Sequence, residues 1–194
     1  MKDANSSIKN GPSKEEWEKL YSHEYPINME WIQPLIDVTK EGDRTLELGC
    51  GTGSTSKILK EMGRESYTND LFNADYIFDV TKEWPDLKFD VIFSSGLLEH
   101  FNDKDLHKIL SESAKRAKTV VSLVPNDGCE GYWEWRRREE ETGAWPYGDE
   151  RPRKSLIKEF REAGIDVVRE YMVGNDFGND NYLLVTVGIS TKLC

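Results

Sequence analysis

The stretch LELGCGTG, residues 46–53, decides the fold. It opens with residues typical of a buried strand and runs into a turn with glycine at every second position, followed by a segment of helical spacing that ends at Gly63. Because glycine has no Cβ, such a turn bends sharply and lets the backbone approach a ligand closely. The stretch predicts a strand, a turn and a helix. It leaves open whether the turn binds a ligand or is only a tight connection.

The spacing of the glycines separates this turn from the dinucleotide-binding kind. The pattern is G-x-G-x-G, with Glu47 two residues before the first glycine, whereas NAD enzymes carry G-x-G-x-x-G. An acid at the end of the strand suits a ligand that bears an ammonium or hydroxyl groups rather than a phosphate. An NAD-dependent enzyme is therefore disfavoured.

Outward from the turn, strands and helices alternate. Strands are predicted at 45–48, 65–70, 76–78, 90–94, 119–124, 165–172 and 182–189, and helices at 54–62, 103–117 and 155–163. The alternation predicts one α/β sheet with helices on both faces. Since no helix separates the last two strands, they should form an antiparallel hairpin.

Two further regions do not follow this alternation of strands and helices. Residues 1–12 are polar and are predicted to be a flexible arm, and two short amphipathic helices are expected within residues 13–40, the first begun by a capping box at Ser13. Pro34 is expected near the start of the second helix, because a proline deeper inside would break it. Residues 125–152, dense in Trp, Tyr, Arg and Glu, are predicted to be an irregular stretch.

Composition limits the class of protein. A chain of 194 residues predicts a single domain over residues 13–194, and its net charge of −10 makes nucleic acid an unlikely partner. It has no apolar run long enough for a membrane helix, and its N-terminus lacks the apolar stretch of a secretory signal. Three cysteines without CxxC spacing argue against disulfides and suit a reducing compartment. We therefore expect a cytoplasmic protein with no membrane partner; its oligomeric state stays open.

Two motifs together resemble those of a known family. LELGCGTGS is similar to the first motif of the class I S-adenosylmethionine-dependent methyltransferases, and FDVIFSSGLLEHF, residues 89–101, is similar to their fourth-strand motif. The resemblance covers about residues 40–190. It implies a Rossmann-like, doubly wound, seven-stranded and mostly parallel sheet with a C-terminal antiparallel hairpin. It also implies an enzyme whose cofactor is S-adenosylmethionine.

The resemblance implies how the glycine turn would bind that cofactor. Glu47 and Gly49 would lie near the methionine amino group. Cys50, Gly51 and Gly53 would belong to the turn that makes room for the cofactor.

The same resemblance implies contacts at the ends of three further strands. Asp70 would hydrogen-bond the ribose hydroxyls, Asp79 and Val80 would contact the adenine edge, and Ser94 and Ser95 would lie under the sulfonium side. The segment from Asp70 to Asp79 is shorter than the family's usual second helix requires. Asp79 has an alternative role, since Asp-x-Thr also favours a turn cap.

Methyl transfer from a sulfonium is an in-line displacement that needs no nucleophilic residue on the protein. A general base is needed only for a hydroxyl or a protonated amine, and His100, just past a strand end, is the best candidate. The alternative is a structural histidine that fixes its loop. Glu99 is expected to cap or orient that loop. No metal site is expected, because the three histidines do not group with carboxylates at ligand spacing along the sequence.

The resemblance implies that residues 125–152 are an insertion on the acceptor side, and aromatic residues mark a candidate acceptor pocket. Tyr21, Trp145 and Tyr147 could line it, and nearby acids would favour a cationic or amine acceptor through ring faces and charge. The alternative is simple packing of the rings. The run RRREEE, residues 136–141, is expected to form a solvated helix face with Arg–Glu pairs four residues apart.

Three functions remain open from the sequence. The first is methyl transfer to an oxygen or nitrogen of a small molecule. The second is methylation of RNA or protein, which the acidic charge disfavours. The third is a non-catalytic S-adenosylmethionine-binding protein, since a fold does not guarantee an activity.

Overall fold

A computed structural model describes residues 13–21, 28–178 and 181–193. The arm predicted at residues 1–12 lies outside these ranges. The helices are α1 (Lys14–Leu20), α2 (Met29–Val38), α3 (Ser54–Glu61), α4 (Asp103–Arg116), α5 (Glu130–Thr142) and α6 (Ile157–Glu162). The strands are β1 (Arg44–Leu48), β2 (Glu65–Asp70), β3 (Tyr76–Ile77), β4 (Phe89–Ser95), β5 (Ala117–Pro125), β6 (Ile165–Val173) and β7 (Leu183–Ser190).

The seven strands form one sheet in the order β3-β2-β1-β4-β5-β7-β6. Strands β1 to β5 are parallel to one another, and β7 is inserted antiparallel between β5 and β6. The predicted Rossmann-like sheet and its C-terminal antiparallel hairpin are confirmed. Strands β1 and β4 are neighbours, but the chain continues from β1 to β2 on one side of the pair and from β4 to β5 on the other. Open α/β folds bind ligands at such a point, where the strand order reverses.

Apolar side chains cover both faces of the sheet. Ile92 of β4 packs on one face in a cluster that includes residues of α4 and α6, while Phe93 packs on the other with residues of α2 and α3. Both side chains are 0% exposed. This is why β4 contains the uninterrupted apolar run VIF, residues 91–93: a central parallel strand is buried on both sides.

The N-terminal region departs from the sequence prediction at one residue. The capping box at Ser13 begins α1 as expected, but Pro34 is the sixth residue of the ten-residue α2. The proline removes one helical hydrogen bond. The helix nevertheless continues, because its neighbours Ile32 and Leu35 are buried at 1% and 0% exposure.

Residues 125–152 are not irregular throughout, since they contain the thirteen-residue helix α5. Its two buried residues are Tyr132 and Arg136, four positions apart on one face. An arginine at a buried position interrupts the hydrophobic periodicity by which a helix is recognised.

No helix in the described ranges is long and apolar enough to cross a membrane.

Candidate active site

The glycine turn after β1 has the backbone conformation that requires glycine. Gly49, Gly51 and Gly53 have φ values of +62°, +53° and +69°. A Cβ on Gly49 would lie 2.6 Å from Cδ1 of Leu97, and one on Gly51 would lie 3.0 Å from the ring of Tyr21. The turn is therefore both left-handed and closely packed, so a side chain at either position would be strained.

Hydrogen bonds fix the turn to the neighbouring strand. The Cys50 N–H donates to the Asn69 carbonyl over 3.0 Å, and the Gly51 N–H donates to Oδ2 of Asp70 over 2.9 Å. The other carboxylate oxygen of Asp70 accepts from the Leu71 N–H over 2.7 Å. Burial raises the pKa of Asp70, and burial also raises the pKa of the Cys50 thiol to about 12. The thiol is therefore neutral, and Asp70 is the acid that holds the turn.

The Glu47 side chain contacts the first turn of α3, which the sequence did not predict. Its Oε2 accepts from the Ser56 backbone N–H over 3.1 Å and from the Ser56 hydroxyl over 2.7 Å, and the residue is 4% exposed. Ser56 is in the first turn of α3, whose N-cap Gly53 offers no side chain to the free N–H groups. Glu47 thus caps α3 from β1, and it does not line the cavity described below.

Burial raises the pKa of Glu47 to about 7 from an ordinary value of 4.5. The folded protein therefore holds this proton more tightly than the unfolded chain, and rising pH through that window lowers the free energy of unfolding. Glu47→Gln has no such proton, so we expect its free energy of unfolding not to show this decrease with pH. Urea unfolding from below pH 4.5 to above pH 7 should show the wild type losing about 3 kcal/mol relative to the variant. Parallel pH curves for the two proteins would contradict this assignment.

A cavity of about 370 Å³, the main cavity, lies beside the turn. Gly49 borders it at the end of β1, and Asp70, Asp79 and Val80 border it beyond β2 and β3. Apolar side chains complete the wall, namely Leu71, Phe72, Phe78, Leu97 and Phe101. A cavity with apolar walls and carboxyl groups in its lining can hold an aromatic ring system that carries hydroxyl groups.

Asp79 has the turn-cap role, one of the two roles weighed from the sequence. Its Oδ1 accepts from the Thr81 N–H over 2.8 Å and from the Thr81 hydroxyl over 2.6 Å, which makes it a turn cap. The residue also borders the main cavity. The two serines at the end of β4 separate: Ser94 is 3% exposed inside the sheet, whereas Ser95 borders a second cavity.

The second cavity has about 190 Å³ and adjoins the main one, since Tyr21, Gly96 and His100 line both. Trp145 and Tyr147, proposed from the sequence as acceptor contacts, line it. Its other aromatic walls are Trp31, Tyr132, Trp135 and Tyr182. Trp145 also packs on Trp135 and Tyr132, so contact with the cavity and packing of the rings are not exclusive.

His100 lies at the junction of the two cavities. Its Nδ1 is 3.4 Å from the Asp149 carbonyl, and its Nε2 is 3.7 Å from Oε1 of Glu150. Burial lowers the pKa of His100 to about 4. The ring is therefore neutral near pH 7, and the tautomer that donates from Nδ1 leaves a lone pair on Nε2.

Two buried carboxyl groups beside His100 were not assigned a joint role from the sequence. Glu99 is 1% exposed, and its Oε2 has no hydrogen-bond partner in the described part of the chain. Burial and the nearby Glu150 raise the pKa of Glu99 well above its usual range, and burial raises that of Glu150. The Tyr132 hydroxyl donates to Oε2 of Glu150.

The fold thus brings Glu99, His100 and Glu150 together, with one ligand atom from each within 4.8 Å of the others. The sequence argument considered only spacing along the chain, and it missed this group because Glu150 lies fifty positions away from His100. These three atoms could hold a metal ion. The only advance signal was the presence of acids among the aromatic residues of the insertion.

Arg136 corrects the expectation for the charged run. It pairs with Glu140 over 2.8 Å, four residues on, as predicted. However, it is only 9% exposed, and its guanidinium lies 5.4 Å and 5.1 Å from the ring centres of Trp133 and Trp145. The arginine therefore supports the aromatic wall instead of facing solvent.

The comparisons with known proteins agree with this fold. Residues 21–170 match the family described as the methyltransferase domain. The N-methyltransferase NodS of Bradyrhizobium japonicum, in complex with S-adenosylhomocysteine, is similar at 12% identity and a TM-score of 0.65, over 91% of this chain and 97% of that one. The magnesium protoporphyrin IX methyltransferase of Synechocystis, with the same bound product, is similar at 16% identity and a TM-score of 0.63, over 91% and 94%.

A third similar structure is the 1,6-didemethyltoxoflavin-N1-methyltransferase of Burkholderia thailandensis, at 16% identity and a TM-score of 0.59, over 83% of this chain and 75% of that one. The search of curated proteins found no matching sequence. The fold and the match define the class as class I S-adenosylmethionine-dependent methyltransferases. The chain belongs to the methyltransferase domain family.

Proposed function

We propose that the protein transfers a methyl group from S-adenosylmethionine in the main cavity to a small molecule in the second cavity. The observation that carries the proposal is the meeting of the two cavities at Tyr21, Gly96 and His100. A second cavity of about 190 Å³ has room for a small molecule or one group of a larger one. The small-molecule methyltransferases among the similar structures support the same acceptor class.

The residues around the main cavity suit the cofactor. The bare backbone at Gly49 permits close approach, and each oxygen of Asp70 keeps a lone pair beyond its one backbone hydrogen bond. Asp70 would accept from the ribose hydroxyls. Asp79 and Val80 would contact the adenine, with Phe78 and Leu97 as apolar walls. Gly51, Gly53, Cys50 and Glu47 would act through the turn, which they shape without bordering the cavity.

The cofactor supplies an activated methyl group, and the protein aligns the acceptor, excludes water and takes a proton if one must leave. His100 is the group placed to take that proton. It is neutral near pH 7, and it borders both the main and the second cavity. Ser95 and Gly96 border the second cavity beside it and would shape the passage between the two ligands.

For His100→Ala we expect kcat to fall between about 100-fold and 10,000-fold, because the general base is lost. His107→Ala is the matched control, since His107 is exposed on α4 and contacts Ser111 of the same helix. The measurement is the rate of methyl transfer, with the affinity for S-adenosylhomocysteine as a check that the main cavity is intact. If His100→Ala turns over at the wild-type rate, His100 only fixes its loop.

The proposed function is tested with S-adenosylmethionine that carries a tritiated methyl group. The protein is incubated with a cell extract separated into small molecules, RNA and protein. We expect label to enter the small-molecule fraction. Label that enters only RNA or protein would reject the proposed acceptor class, and no label in any fraction would indicate a binding protein without this activity.

A further inference from the structure

We propose that the second cavity recognises an amine, bound as its ammonium by the carboxyl groups of Glu99 and Glu150. The acceptor would then be methylated on nitrogen. This inference deepens the proposed function and rests on it. It is carried by two carboxyl groups in the lining of an aromatic-walled cavity, one of which has a buried oxygen with no hydrogen-bond partner in the described part of the chain.

Glu99 is the first part of the argument. It lines the cavity at 1% exposure, and its Oε2 has no hydrogen-bond partner among the described residues. A buried carboxyl group without a partner is costly unless a ligand satisfies it. The charge of the nearby Arg153 acts to lower the pKa of Glu99, but Arg153 does not hydrogen-bond to Oε2. The Arg153 guanidinium instead contacts the Phe101 carbonyl at 3.5 Å and Asp103 at 3.6 Å. Glu99 therefore brings a carboxyl group with an unsatisfied oxygen to the wall of the second cavity.

The charge of the wall is the second part. The described lining includes two carboxyl groups and no lysine or arginine. An acceptor with a carboxylate or phosphate at this place would face two carboxyl groups and no cationic side chain among the described lining residues. An ammonium offers up to three N–H donors, which matches an excess of acceptor oxygens.

The rings are the third part. Trp31, Trp135, Trp145, Tyr132, Tyr147 and Tyr182 border the same cavity. Ring faces attract cations, and the attraction is stronger when water is excluded. The Tyr132 hydroxyl donates to Glu150 and fixes that carboxyl group in place. Oε2 of Glu99 has no such donor in the described part of the chain.

A metal ion is the competing occupant, since Glu99, His100 and Glu150 could ligate one. Hard divalent cations prefer six or more oxygen ligands. The remaining wall is mainly aromatic and offers ring faces in their place. The wall therefore favours an organic cation.

The reaction balances for this acceptor. The ammonium gives one proton to a carboxylate or to the neutral His100, which frees the nitrogen lone pair. The N–C bond then forms as the C–S bond breaks, and the electron pair of that bond stays on sulfur. The methylated nitrogen carries the positive charge away from the sulfonium.

The test is a titration of tryptophan fluorescence with phenethylamine, 2-phenylethanol and phenylacetate, which differ only in the polar end. We expect phenethylamine to bind at least about tenfold more tightly than the neutral alcohol, and phenylacetate to bind most weakly. Glu99→Gln and Glu150→Gln should each remove most of that preference. Glu134→Gln, an exposed residue on α5, is the matched control and should keep it.

Each titration is made with and without S-adenosylhomocysteine. If the product binds but wild type does not prefer the amine, this inference fails and the proposed function stands. If the product does not bind, the proposed function fails, while the amine preference is still measured on the second cavity alone. Tight, stoichiometric binding of Zn²⁺ that Glu99→Gln abolishes would assign the carboxyl groups to a metal and overturn the inference.

Discussion

Replacing Gly51 by valine should abolish the binding of S-adenosylhomocysteine, with an affinity loss of at least about 100-fold. Gly51 has a φ of +53°, where a branched residue is strained, and an added Cβ would lie 3.0 Å from the Tyr21 ring beside the cavity. Left-handed strain alone costs about 1–2 kcal/mol, and the displaced turn also loses its hydrogen bond to Asp70. Isothermal titration calorimetry measures the affinity directly.

Gly143→Val is the matched control for this effect. Gly143 also has a positive φ, +70°, but an added Cβ there would meet no described atom within 4 Å. It ends α5 outside both cavities. We expect Gly143→Val to lose stability and to keep the wild-type affinity. Full product binding by Gly51→Val would mean that the turn is not part of the cofactor site.

The second large effect is expected for Asp70→Asn, which should weaken S-adenosylhomocysteine by about 10- to 100-fold. An amide nitrogen in place of Oδ2 could not accept from the Gly51 N–H or from a ribose hydroxyl. Hydrogen bonds to a charged acceptor contribute about 1.5–3 kcal/mol, which gives the stated range. The same calorimetric titration measures it.

Asp75→Asn separates this effect from a general loss of order. Asp75 accepts from the backbone and the hydroxyl of Thr68, both over 3.0 Å, and does not border the main cavity. Its variant should unfold at a lower temperature with product affinity unchanged. Equal affinity losses for the two variants would place the role of Asp70 in the fold and not in the site.

The fold could be predicted from the sequence where burial leaves a pattern. Strands β4 and β5 are covered on both faces and read as apolar runs, and the lack of a helix before β7 indicated its antiparallel direction. Pro34 and α5 could not be predicted in the same way. In α2 tertiary packing overrides the propensity of one residue, and in α5 a buried arginine replaces an apolar side chain.

The site divides along similar lines. The glycine turn and Asp70 could be predicted, because a left-handed turn and the end of a strand each leave a signal in a short stretch of sequence. Glu47 is a cap for α3 instead of a cavity residue, which depends on how the turn orients its carboxylate. Glu150 lies in the segment after α5 and meets Glu99 and His100 only in the folded chain, so no local spacing reveals that cluster.

The most direct measurement is a crystal structure of the protein soaked with S-adenosylhomocysteine. We expect the product in the main cavity, with its ribose against Asp70, its adenine beside Asp79 and Val80, and its sulfur towards Gly96 and His100. Density for the product at another place, or a main cavity closed by the protein's own side chains, would contradict the proposed site.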